Sequence, residues 1–127
     1  MGQHRAVLRG VGGVDLVTNE TGGVAVISPA GDIDSSTAPT LQQRLDELLS
    51  KDVHNFVLDL SRVGFIDSTG LAAVVRLYKR VRIGEGDVRL AAVPPRVQEV
   101  LDLTRLSQVF EIFPTAVEAA ASFGSQT

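Results

Sequence analysis

The sequence contains no cysteine, so it forms no disulfides and offers no thiolate to a metal, a usage that fits a reducing, cytoplasmic setting. Lysine is nearly absent as well: Lys51 and Lys79 are the only two, and the remaining positive charge is arginine scattered along the chain. At a formal net charge of -3 there is no basic excess to attract nucleic acid or anionic lipid. Histidine is limited to His4 near the start and His54 just ahead of an apolar run. No uncharged apolar run approaches the roughly 20 residues needed to span a bilayer. The opening MGQHRAVLRGVGG also lacks the apolar core of a signal peptide. These absences point to a cytoplasmic, single-domain protein with no membrane segment. Its 127 residues, 44% hydrophobic and 21% charged, are enough for one packed core.

The pattern that remains alternates between strands and helices. Residues 1–13 are glycine-rich and weakly patterned, and read as a flexible N-terminal extension. Val14–Asn19 and Gly23–Ser28 read as two strands joined by a turn at Glu20-Thr21-Gly22. The polar stretch GDIDSSTAPT then opens a helix, with Ser36 or Thr37 as cap and Pro39 in the first turn. Leu41, Leu45, Leu48 and Leu49 give that helix one apolar face. Phe56–Leu60 reads as a strand buried on both faces, and Leu71, Val74, Val75, Tyr78 and Val81 outline a second helix ended by Gly84 and Gly86. A strand over 88–93 stops at Pro94-Pro95, and Val97, Val100, Leu101 and Thr104 mark a third helix. Val109–Phe113 is a further short strand, and Pro114 or Thr115 opens a last helix with Val117, Ala120 and Ala121 facing inward. The expected fold class is α/β, one domain over residues 14–123 with a tail at 124–127. It holds a mixed β-sheet of about five strands packed with about four α-helices.

The stretch FIDSTGLAAVV, Phe65 to Val75, places a carboxylate and two hydroxyls where a strand hands over to a helix. As a hydrolase nucleophile Ser68 lacks its setting: Ile66 stands at the first glycine of G-x-S-x-G, and neither histidine has a route to becoming its base. Asp32-Ile33-Asp34 resembles a phosphotransferase D-x-D, but Pro29-Ala30-Gly31 separate it from the strand and no later acidic pair is present for magnesium. The same pair fails as an EF-hand, with Thr37 where glycine is needed and Gln43 where a bidentate glutamate is needed. A receiver domain phosphorylated on Asp59 would require an acidic pair where Asp15 stands alone and a lysine beyond Lys79. Two readings survive. Asp67 or Ser68 caps the helix, or Ser68 is a substrate whose phosphate the helix N-terminus tolerates.

Together the motifs resemble the STAS domain of bacterial anti-sigma factor antagonists. GDIDSSTAPTL looks like that family's G-[DE]-[LIV]-D-x-x-[ST]-A segment, and FIDSTGL looks like its F-[IM]-D-S-[ST]-G-L phosphorylation segment. The resemblance runs from about Val14 to Phe123 and implies a STAS-like α/β domain without catalytic activity or cofactor. It implies that the unphosphorylated form binds an anti-sigma factor, a serine kinase of the histidine-kinase-like ATPase fold, and so releases a sigma factor. The kinase would phosphorylate Ser68, with Thr69 a secondary acceptor, and a PP2C-type phosphatase would reverse this. Asp32, Asp34, Ser35, Asp67, Thr69 and Gly70 would form the partner-facing surface, with no metal and no direct nucleic acid. The alternative within the same fold is a structural subunit of a stress-signalling scaffold or lipid-transport complex, in which Ser68 is only a cap.

Overall fold

The computed structural model describes residues 4–9, 15–21 and 23–124, with side chains from Gly23 onward. Six strands form a single sheet in sequence order: β1 (His4–Arg9), β2 (Asp15–Thr21), β3 (Val24–Ala30), β4 (Asn55–Asp59), β5 (Asp87–Ala91) and β6 (Ile112–Phe113). β1, β2 and β3 run antiparallel to one another, and β3 through β6 run parallel. Parallel neighbours need crossovers, which α1 (Ala38–Ser50), α2 (Ser68–Ile83) and α3 (Pro95–Leu103) supply, and α4 (Ala116–Ala121) follows the last strand. No helix among the described residues is long and apolar enough to cross a membrane.

The strands of the parallel half are apolar on both faces because both are covered. Ala25, Ile27, Phe56, Leu58, Val88 and Leu90 pack into one core with Leu41, Leu45 and Leu48 of α1, Val74, Leu77 and Val81 of α2, and Val97 and Leu101 of α3. The alternate residues Val24, Val57 and Ala91 form a smaller cluster with Ala119 of α4. Tyr78 meets Phe110 edge to face, ring centroids 5.1 Å apart, and ties α2 to the segment beyond α3. The sharp turn after α2 brings Gly86 so close to β4 that a Cβ there would lie 1.8 Å from the carbonyl oxygen of His54, so only glycine fits.

Several sequence expectations shift. Residues His4–Arg9, within the stretch read as an extension, pair with β2 at the edge of the sheet and bring the described strands to six, close to the expected about five. The inward face of α4 is Ala116, Ala119 and Ala120, not Val117, which is 79% exposed. On α2, Ala73 and Leu77 are buried more fully than Leu71, Val75 and Tyr78, a shift of phase that an α-helix with apolar residues on several sides permits. Val109 and Phe110 precede β6 rather than belonging to it, because the chain first makes a short 3₁₀ turn at Leu106–Gln108.

Candidate functional site

Two loops leave the C-terminal ends of β3 and β4 and run side by side. The bridge Ile33↔Ile66 continues the parallel pairing of the strands, and Ile33 N–H donates to Phe65 O at 2.9 Å while Asp67 N–H donates to Ile33 O at 3.2 Å. Gly31 N–H donates likewise to Arg62 O at 3.0 Å. Ile33 and Ile66 point into the core, so by strand alternation Asp32 and Asp34 on one loop, and Phe65 and Asp67 on the other, lie on the outer side. Gly70 completes the approach. A Cβ on it would stand 2.4 Å from Ile33 O, so the first turn of α2 can press against the neighbouring loop only without a side chain.

Each loop starts a helix with different chemistry. At α2, Asp67 is the N-cap and its carboxylate accepts the Gly70 N–H at 2.9 Å. Ser68 and Thr69 are the first two helical residues, both exposed, and their N–H groups have no protein partner among the described residues. At α1, Thr37 holds the cap position and Pro39 the first turn as expected, yet the Thr37 hydroxyl does not cap the helix. It turns back to donate to Asp32 O at 2.7 Å and to accept the Asp34 N–H at 2.9 Å. That buried hydroxyl locks the Asp32–Thr37 turn from inside.

Asp34 organises the same turn from outside. The Ser36 hydroxyl donates to its carboxylate at 2.7 Å, the Ser36 N–H at 2.9 Å and the Thr37 N–H at 3.2 Å. The Ser36 hydroxyl first, then the Ser36 N–H, hold the Asp34 carboxyl below its ordinary value, since each bond favours the charged form. Asp32 lies over Gly64 of the adjacent loop, its Oδ1 only 3.1 Å from where a Cβ would stand. Among the described residues no group of three acidic, histidine or cysteine side chains converges to hold a metal.

Asp32, Asp34, Ser35, Asp67, Ser68, Thr69 and Gly70 are thus gathered in one place, at the end of the sheet where α1 and α2 begin. Asp59 lies apart from them on the strand register of Val57, which faces α4, and accepts the Ser61 N–H at 3.0 Å. His54 sits at the opposite end of β4, more than half exposed beside Asp52. Among the described side chains, no histidine therefore stands beside Ser68. Sequence reasoning missed Phe65, which is 42% exposed two residues before the Asp67 cap, and a groove between α1 and α2. The signal for the groove was Ala38, Ala72 and Ala73, small residues where two helices meet.

The STAS domain family matches residues 15–119. The anti-sigma-B factor antagonist of Bacillus subtilis (strain 168) is 30% identical over 99 residues, covering 78% of this chain and 88% of its own. The anti-sigma F factor antagonist of Paenibacillus polymyxa is 28% identical over 98 residues, covering 76% and 84%. A crystal structure of an anti-sigma factor antagonist from Mycobacterium paratuberculosis superposes with a TM-score of 0.80 at 29% identity, covering 91% of this chain and 97% of the other. The two motif loops, the six-stranded sheet they extend and these matches converge: the chain belongs to the STAS domain family.

Proposed function

We propose that this protein is an anti-sigma factor antagonist switched by phosphorylation of Ser68. The STAS antagonists are regulatory binding proteins rather than enzymes, and in this reading Ser68 accepts a phosphoryl group that the partner supplies. In its unphosphorylated form the protein captures an anti-sigma factor through the acidic loop pair and frees a sigma factor. The anti-sigma factor is itself a serine kinase. It transfers the γ-phosphoryl group of ATP to the Ser68 oxygen, ADP leaves and the hydroxyl proton is released. A PP2C-type phosphatase hydrolyses the ester and restores the binding form.

One observation carries this reading. Ser68 is the exposed first residue of α2, beside a carboxylate that already caps the helix, so its hydroxyl has no structural duty. Phosphorylation there adds about −1.5 to −2 charges to a surface that holds Asp32, Asp34 and Asp67. The free N–H groups of Ser68 and Thr69 and the helix dipole let the fold accept that charge, so the modification alters the surface rather than the core.

The test is incubation with the anti-sigma factor kinases of the source organism and ATP, with the phosphate located by mass spectrometry. Label should appear on Ser68, and Ser68→Ala should stay bound to the kinase in the presence of ATP. Ser68→Asp should bind at least about tenfold more weakly, a loss of about 1.4 kcal/mol. Absence of label with every such kinase, or equal affinity of the two variants, contradicts the proposal.

A further inference from the structure

The first turns of α1 and α2 do not meet. Ala38 and Pro39 on one helix, and Ala72 and Ala73 on the other, leave an open groove of about 220 Å³ with an apolar floor. Thr69 forms its lip next to Ser68, and Arg76 stands further along it. Beyond that point the helices close up through polar contacts: the Arg76 guanidinium donates to Gln42 Oε1 at 3.3 Å, and Arg80 pairs with Asp46. The two arginines differ. Arg80 has a carboxylate partner, whereas Arg76 is held only by a neutral amide and has no ion-pair partner among the described residues.

Size and charge together define what fits. Pockets for drug-sized ligands run from about 300 to 1,000 Å³, so this groove suits one side chain rather than a nucleotide. Its floor is apolar, its far end carries an unpaired cation, and the N-terminal ends of two helices flank it. We infer that the groove between α1 and α2 is the socket for an acidic side chain of the protein partner, its methylene stem on the alanines and its carboxylate on Arg76. The inference deepens the proposed function and rests on it for the identity of the partner. It also supplies a reason for the switch: a phosphate on Ser68, one residue from the lip, repels the docked carboxylate as well as withdrawing a hydroxyl. The acidic loops beside the socket would meet basic groups of the same partner, so alternating charge fixes the docking register.

The socket can be tested without the partner. In ¹⁵N–¹H NMR titrations, hexanoate should shift the amides of Thr69, Ala72, Ala73 and Arg76 saturably, with half-saturation of about 1 mM, as expected for so small a ligand. Hexylammonium of the same length should not. Arg76→Gln should weaken hexanoate binding about tenfold, and Ala72→Phe, an exposed position on the same helix, should abolish it. Arg96→Gln, which removes an exposed arginine from α3, should leave it unchanged. Ser68→Asp should weaken it several-fold. Equal binding by the protein and Arg76→Gln, an equal response to hexylammonium, or shifts that avoid the groove would overturn the assignment. These titrations involve no kinase, so failure of Ser68 phosphorylation and failure of the socket are separate results.

Discussion

Replacing Gly70 by alanine sets two effects of opposite sign against each other. In an ordinary helix the change stabilises, by up to about 1 kcal/mol. Here the new methyl would sit 2.4 Å from Ile33 O, 2.8 Å from Ile33 Cγ2 and 2.9 Å from Ile66 Cγ1. The first is a backbone oxygen that already accepts the Asp67 N–H, and the other two belong to side chains that are 1% and 3% exposed. None can swing away, so α2 must move off the neighbouring loop. Overpacking of this kind costs about 1–3 kcal/mol, and the upper end applies where backbone is struck. The net loss is then about 2 kcal/mol. With an unfolding entropy of about 2.1 cal/mol/K per residue, the 127 residues give roughly 0.27 kcal/mol/K, and Tm should fall by about 7 °C. Differential scanning calorimetry decides the matter. An unchanged or higher Tm would mean that helix propensity wins, and that the loops are not held as tightly as their distances imply.

Other perturbations separate the parts of the site. Asp67→Ala removes the cap of α2 and should cost about 1 kcal/mol in urea unfolding, whereas Asp67→Asn should recover most of it. The Asp34 carboxyl is held below its unfolded value of 3.8, so its contribution to stability is present above that pH and lost as pH falls through the folded value. Asp34→Asn should therefore flatten the acid limb of a stability–pH curve, and an unchanged limb would exclude the Ser36 bonds as its cause. Arg89 stacks on Phe123 at 4.0 Å from the ring centroid and donates to Ser122 Oγ at 2.6 Å, pinning the end of α4 to the sheet. Arg89→Ala should raise amide exchange in α4 while leaving α1 and α2 protected.

What could be read from the chain, and what could not, follows from how far apart the deciding residues lie. The Asp67 cap, Pro39 at the start of α1 and the leucine stripe are local, and all stand where spacing places them. The side-by-side loops depend on parallel pairing of β3 with β4 across an intervening helix, which no local pattern encodes, so only resemblance brought Asp34 and Ser68 together beforehand. The inward face of α4 was misjudged because four alanines in six residues leave periodicity nothing to grip. Strand β1 was hidden because its apolar core is short and glycines surround it. The Thr37 hydroxyl was expected on a helix N–H, but two closer loop groups claim it.

The loop pair is joined by main-chain bonds from Gly31, Ile33 and Asp67, with side chains taking part only through the buried isoleucines. A frame built this way is indifferent to what its outer positions carry. Asp32, Ser35, Phe65 and Ser68 can be exchanged without loosening it, while Gly70, Ile33 and Ile66 cannot. Two relatives at 30% and 28% identity, one named for sigma-B and the other for sigma F, show how much of the sequence this family can change. If these outward positions carry the proposed partner contact, its specificity would change with a few side chains on a constant backbone, with no cost to the fold.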